Sequence, residues 1–220
     1  LGDVYKRQAY NDSLGIEKLQ KYASLFGLNE RTGIEIEEAA PQIANEFPVM
    51  AAIGQSNNNY TTVQLARYVT AVANEGTVYQ YTLLNRLEDS DGNVLQTFEP
   101  QVRNQIDVLD TEEWNAIHSG MRMVVENTKE FDGFPIEAAG KTGTAQQNLK
   151  RPNHALFVGY APYDDPEISI ATRIAYGYTS HNAAKLARNV FAYYFNVENE
   201  DELLNGQAAN GNSSSNEISD

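Results

Sequence analysis

Two rhythms of apolar residues, one helical and one alternating, divide the chain into elements. Ile16, Leu19, Ala23 and Phe26 fall on one face of a helix that Gly27 would end in a left-handed cap. Residues 32–36 alternate briefly, which predicts a short strand, and a loop comes next over 41–48. A second helix is predicted over 61–75, with Thr61 or Thr62 accepting from its first free amides. Leu65, Val69, Val72 and Ala73 form its buried stripe, and Gly76 ends it. Residues 82–88 and 94–98 flank Asp89-Ser-Asp-Gly92, whose Asp-Gly pair is a tight-turn signal, so a hairpin is expected. Asp110 and Glu113 make a capping box ahead of Trp114, Ile117, Met121 and Val124, a helix ending near Glu126 or Asn127. His118 lies one position off that stripe and is expected on a solvent-exposed flank.

The last third of the chain reads as strands closed by a helix. A loop over 128–135 leads to an extended run from about 140, then strands over 154–161 and 168–175, with Pro162 and Asp164-Asp165-Pro166 turning between them. In the second of these, Ile168, Ile170, Thr172 and Ile174 point one way, and Ser169, Ala171, Arg173 and Ala175 the other. His154 opens its strand and is read as a strand residue rather than a base. The final helix, over 182–195, aligns Leu186, Val190 and Tyr194 with Ala183 and Ala187 beside them, a face that can lie against a sheet.

Composition narrows the function classes. With 41% hydrophobic residues over 220 positions, the chain can bury a substantial core. A net charge of −14 argues against any sequence-independent grip on nucleic acid phosphates. Zero cysteines excludes disulfides and thiolate catalysis. No run of 18 apolar residues is present, so nothing here would span a bilayer as a helix. The first eight residues do not join naturally to the sequence after them, and we read residues 1–8 as a non-native leader from a cloning or adapter join. Residues 198–220 are small, polar and acidic, the composition of a disordered tail.

The chemistry concentrates in Gly140-Lys141-Thr142-Gly143-Thr144-Ala145. A cation, two hydroxyls and a bare glycine in consecutive positions can receive an anionic or carbonyl-bearing ligand. Gly-Lys-Thr also occurs in phosphate loops, but that loop needs a glycine five residues before its Gly-Lys pair, where Pro135 stands. Gly143 and Thr144 favour an extended run, and Pro152 would interrupt a helix begun there. The alternative is the Lys-Thr-Gly element of penicillin-recognising serine enzymes. Gly140 to Ala145, then His154-Ala-Leu-Phe-Val-Gly-Tyr-Ala-Pro162, then Ile168-Ser-Ile-Ala-Thr-Arg-Ile174, resembles the last three strands of a class B penicillin-binding protein transpeptidase domain. Ala52-Ile-Gly-Gln55 and Thr61-Thr-Val-Gln-Leu-Ala66 resemble that family's Ile-Gly-Gln segment and the helix after it, with Ser56 in place of a glycine and Thr62 in place of a proline.

The resemblance implies an α+β fold, an antiparallel sheet packed by helices, here the C-terminal part of the domain over residues 9–197. It implies a D,D-transpeptidase that cross-links peptidoglycan stem peptides through a serine acyl-enzyme and reacts with β-lactams, with no metal or other cofactor. Carried over residue by residue, Lys141 supplies positive charge, Thr142 and Thr144 offer hydroxyls to the substrate carboxylate, and Gly143 lets the ligand run close. The Thr144 N–H would be one oxyanion donor. No serine in the chain has lysine three residues later, so the expected nucleophile and its lysine are missing from these residues. Ser56-Asn57-Asn58 matches Ser-x-Asn, but so do Ser180-His-Asn182 and Ser214-Ser-Asn216, and in the family's order that motif precedes the helix beginning near Gly15. The chain alone is therefore expected to be inert. Its partners would be the stem peptide, β-lactams and a glycosyltransferase, on the outer face of the cytoplasmic membrane through an upstream anchor. A β-lactamase or β-lactam sensor of the same fold, and a non-catalytic cell-wall assembly module, are the other readings.

Overall fold

The computed structural model describes residues 15–147, 149–199 and 203. The leader expected over 1–8, and all of the expected tail but 198, 199 and 203, lie outside them. The chain divides into two compact units between Ala116 and Ile117.

The first unit begins with α1 (Gly15–Leu25). Gly27, at φ +73°, supplies the left-handed residue that ends it, and the Leu28 N–H donates to the Ala23 carbonyl at 3.0 Å. The strand expected over 32–36 does not form. The Thr32 N–H and hydroxyl both donate to the Glu38 carboxylate, at 2.7 and 3.0 Å, and Gly33 turns the chain at φ +83°. A backbone amide committed to a side chain is not free for a ladder. A short helix α2 (Pro48–Ala51) leads to α3 (Thr62–Ala73), which starts at a complete capping box between Thr61 and Gln64.

The buried face of α3 is more polar than its pattern predicts. Gln64, Arg67, Val69, Ala71 and Val72 are buried, whereas Leu65 and Ala73 are only half-buried. Arg67 reaches back to the loop after α1 and donates to the carbonyls of Gly27, Glu30 and Arg31, so its buried charge holds that loop in place. Strands β1 (Thr77–Gln80) and β4 (Gln101–Gln105) pair antiparallel, and between them β2 (Arg86–Glu88) and β3 (Val94–Thr97) form the expected hairpin. In its turn the Asp89 carboxylate accepts from the Asp91 and Asn93 amides at 2.9 Å each. Helix α4 (Thr111–Glu126) carries the unit boundary and begins at the predicted Asp110–Glu113 box, both bonds 2.9 Å.

The second unit is a three-stranded antiparallel sheet, β5 (Ala139–Ala145), β6 (His154–Ala161) and β7 (Ile168–Ile174), in that spatial order, covered on one face by α5 (Ser180–Tyr194). Its core gathers Val125, Phe131, Ala155, Phe157, Ala183 and Phe191. The face α5 buries is only in part the expected one: Ala183 and Ala187 lie on it, but the larger residues expected beside them do not. Ala183, Ala184, Ala187, Phe191 and Ala192 are buried, whereas Leu186, Val190 and Tyr194 are 45%, 38% and 46% exposed. Phe157 projects from β6 and stacks on Phe131 at 5.7 Å, and alanines let the helix backbone come down over those rings. His118 also departs from expectation: it is half-buried, its ring edge-on to Tyr160 at 5.7 Å.

Candidate active site

Lys141, Thr142, Gly143 and Thr144 lie together on β5, which is an edge strand of its sheet. The pairing is in register throughout: Lys141 opposite Val158, Thr142 opposite Phe157, Gly143 opposite Leu156 and Thr144 opposite Ala155. Residues opposite one another share a face, so Lys141 and Gly143 project away from the Phe157 core, and the two threonines project on its side. Lys141 is exposed and its ammonium donates to the Thr142 carbonyl at 2.8 Å. Thr142 is half-buried and Thr144 exposed. The four residues thus form an extended ledge, open on the side away from β6.

The glycines of this sheet differ in what surrounds them. A Cβ on Gly140 would stand 2.8 Å from the Val158 carbonyl oxygen and run into the Phe157 ring. One on Gly159 would stand 2.6 Å from the Ala139 oxygen. Both are required to be bare by packing. A Cβ on Gly143 would meet only Leu156, at 3.4 Å, an ordinary contact.

At the far end of the ledge lies His154, 7% exposed and opposite Ala145. Its Nδ1 accepts from the Tyr176 N–H at 3.1 Å, and its Nε2 lies 2.9 Å from Gln147 Oε1. The Tyr176 ring packs 4.9 Å away, and the Arg173 guanidinium approaches both ring nitrogens to 3.5 Å. Burial, then the Arg173 charge, pushes the imidazole below its usual pKa. The sequence places His154 at the start of a strand, as observed. It holds no signal for this network, which unites residues separated by 7 to 22 positions.

Of the serines that fit Ser-x-Asn, Ser56 has structural work. Ser56, at φ +82°, donates to the Glu46 carbonyl at 2.5 Å, and the Asn57 and Asn58 side-chain oxygens accept from the Asn45 and Ala44 amides at 3.2 and 2.8 Å. Their polar groups are spent on tying the 44–46 loop. Ser180 opens α5, and Ser214 lies outside the described residues. Among the described residues no group of His, Cys, Asp and Glu side chains could hold a metal ion, and no helix is long and apolar enough to cross a membrane.

An antiparallel sheet faced by helices, with Lys-Thr-Gly extended along its edge strand, is the arrangement of the penicillin-recognising α+β enzymes. The chain belongs to the penicillin binding protein transpeptidase domain family, whose model matches residues 4–192. It is 33% identical over 231 aligned residues to the peptidoglycan D,D-transpeptidase MrdA of Haemophilus influenzae, covering 88% of this chain and 35% of that protein. It is 26% identical to penicillin-binding protein 2A of Bacillus subtilis, covering 90% and 31%. Among solved structures, Pseudomonas aeruginosa PBP2 in complex with WCK 5153 superposes with a TM-score of 0.73 at 25% identity, over 87% of this chain and 46% of that one. The fold also matches penicillin-binding protein 2B of Streptococcus pneumoniae R6, with a TM-score of 0.73 at 24% identity over 86% and 34%. The chain spans about a third of the length of the curated relatives it matches.

Proposed function

We propose that this chain carries the Lys-Thr-Gly part of a serine D,D-transpeptidase that cross-links peptidoglycan stem peptides and is acylated by β-lactams. The observation that carries this reading is the contrast among three glycines of one sheet. Gly140 and Gly159 are bare because their neighbours leave no space, while Gly143 is bare with space to spare beside Lys141. A stretch left open on an edge strand, with a cation and two hydroxyls at hand, suits an extended peptide laid antiparallel along it with its carboxylate at the charged end.

In this reading Lys141 attracts that carboxylate as a point charge, and the Thr142 and Thr144 hydroxyls bind it. Gly143 lets the peptide backbone approach. The Thr144 N–H is one of two donors to the oxyanion that forms when a serine Oγ attacks the stem-peptide carbonyl. The tetrahedral intermediate collapses by breaking the C–N bond, and the terminal residue leaves as a free amine carrying the serine's proton. The ester is then attacked by the amine of a second stem peptide, which forms the new amide and returns a proton to the serine. None of the serines in these 220 residues stands three positions before a lysine, so the nucleophile and its base come from sequence outside them. A membrane anchor, a position on the outer face of the cytoplasmic membrane and a glycosyltransferase partner belong to the same reading.

Labelling with a fluorescent penicillin tests it. The gene's product that includes Ser-x-x-Lys is expected to form a covalent band, and these 220 residues alone are expected to form none. A band on the short chain would place the nucleophile within it. An unlabelled long product would overturn the assignment.

A further inference from the structure

We propose that His154 is a positioning residue for the Lys141–Thr144 ledge: a neutral imidazole that clasps the end of β5 to the end of β7 and so fixes the edge strand. The inference rests on the transpeptidase reading only for what the ledge does, and the clasp itself stands on geometry.

The bonds dictate the tautomer. The Tyr176 amide can only donate, so Nδ1, 3.1 Å away, must present a lone pair and carry no proton. The proton of a neutral ring is then on Nε2, which donates to Gln147 Oε1 at 2.9 Å. Gln147 lies just past β5, His154 opens β6, and Tyr176 lies just past β7, so one ring joins the ends of three adjacent strands. Tyr176 sits at φ +55°, a left-handed conformation uncommon for a tyrosine, and the bond to Nδ1 helps hold it there. Its hydroxyl accepts from Arg151 at 2.7 Å, and the Arg151 guanidinium lies 5.2 Å over its ring.

The charged groups facing the ring are cations: Arg173 from β7 at 3.5 Å, and Arg151 of the β5–β6 connection behind Tyr176. Both oppose protonation. A proton on Nδ1 would set two donors against each other and break the Tyr176 bond; Nε2 would still donate to Gln147, so the end of β5, close beyond Thr144, would keep the ring but lose its tie through it to β7. The clasp is therefore closed at neutral pH and opens in acid, below the ordinary histidine range, because burial and Arg173 lower the pKa.

The test uses the gene's product that contains Ser-x-x-Lys, with two independent readouts. In ¹⁵N-histidine-labelled protein at neutral pH, the His154 ring shifts are expected to report the Nε2–H tautomer and the Tyr176 amide to exchange slowly. An Nδ1–H tautomer or a fast-exchanging Tyr176 amide would overturn the clasp, whatever the enzyme does. In the second readout, penicillin acylation is measured against pH. His154→Ala is expected to slow it by roughly tenfold to a hundredfold, the usual consequence of a small misplacement. His154→Asn, whose amide oxygen can accept from Tyr176 without titrating, is expected to recover most of that loss and to lack the wild-type fall in acid. Wild-type rate in His154→Ala, or an Asn variant that keeps the acid fall, would sink the positioning role. A wild-type protein that does not label would instead refute the transpeptidase reading, leaving the clasp to be decided by tautomer and exchange.

Discussion

Gly140 lies directly opposite Gly159 across the β5–β6 ladder, and the Phe157 ring fills the space that both leave vacant. The bareness of each is what lets an aromatic ring lie across two strands at the centre of the second unit's core.

Substituting two glycines of β5 should therefore have opposite effects. Gly140→Ala forces a methyl against Phe157 and the Val158 carbonyl and is expected to cost about 1–3 kcal/mol, the range for overpacking. Gly143→Ala meets only Leu156, at 3.4 Å, and should leave the melting temperature within about 2 °C, since a surface change of this kind is worth under about 0.5 kcal/mol. In the transpeptidase reading it should nonetheless slow penicillin acylation of the long gene product. Thermal melts of the two variants beside acylation rates separate packing from ligand space; equal destabilisation by both would remove the argument from Gly143.

Lys141 is exposed and bonded to a carbonyl of its own strand, so the fold depends on it little. Lys141→Ala is expected to leave stability within about 0.5 kcal/mol. Acylation should fall by roughly two orders of magnitude, comparable to losing one preorganised charge-stabilising donor. Arginine is not a conservative replacement here, because a planar fork cannot occupy the place of a compact ammonium, and Lys141→Arg should recover only part of the rate. Acylation at wild-type rate in the alanine variant would show that the ledge does not bind the ligand carboxylate through Lys141.

The ledge was legible because its residues are consecutive: Lys141 to Thr144 announce their chemistry in one line of sequence. The three strands and the helix after them were equally legible, from alternation and from Pro162. Which face α5 buries was not. Leu186, Val190 and Tyr194 make the more hydrophobic stripe, but the sheet beneath carries Phe157 and is met by four alanines and Phe191, a fit that depends on β6 and not on the helix alone. Residues 32–36 alternate like a strand, yet Glu38 captures the Thr32 amide, and alternation cannot report where an amide's proton goes. The burial of Arg67 on α3 has no sign in the pattern of that helix, because the carbonyls it satisfies lie up to 40 positions away.

Acid should loosen the end of α5. Arg188 donates to Glu198 Oε2 at 2.6 Å and lies 5.0 Å over the Phe134 ring, so this carboxylate helps tie the segment after the helix to the core. The Arg188 hydrogen bond holds the Glu198 carboxyl below its usual range against a smaller effect of burial. A carboxyl depressed on folding contributes stability that is fully present above its unfolded pKa, about 4.3, and is lost as pH falls through the lower folded value. Melting temperature measured from about pH 7 to about pH 3 should therefore fall more steeply below about pH 4.3 in the wild type than in Glu198→Gln. Parallel curves would mean that the pair contributes nothing in solution.

Thr61 offers a test of the first unit. Its Oγ1 accepts from the Gln64 amide at 3.2 Å and lies 3.0 Å from Glu38 Oε1, while its own amide donates to Gln64 Oε1 at 2.8 Å. Glu38 in turn holds Thr32, and Gln64 Nε2 donates to the Glu30 carbonyl at 2.8 Å, so the cap of α3 anchors the loop after α1. A cap isolated on a surface helix costs about 1 kcal/mol when truncated to alanine. Because this one also orients Glu38, Thr61→Ala is expected at the upper end, about 2 kcal/mol, and Thr61→Ser, which keeps the hydroxyl, well under half of that. The double variant Thr61→Ala with Glu38→Ala should cost less than the sum of the single ones, since both remove the same bond. Strict additivity in denaturant melts would mean that the Thr61–Glu38 contact carries no energy.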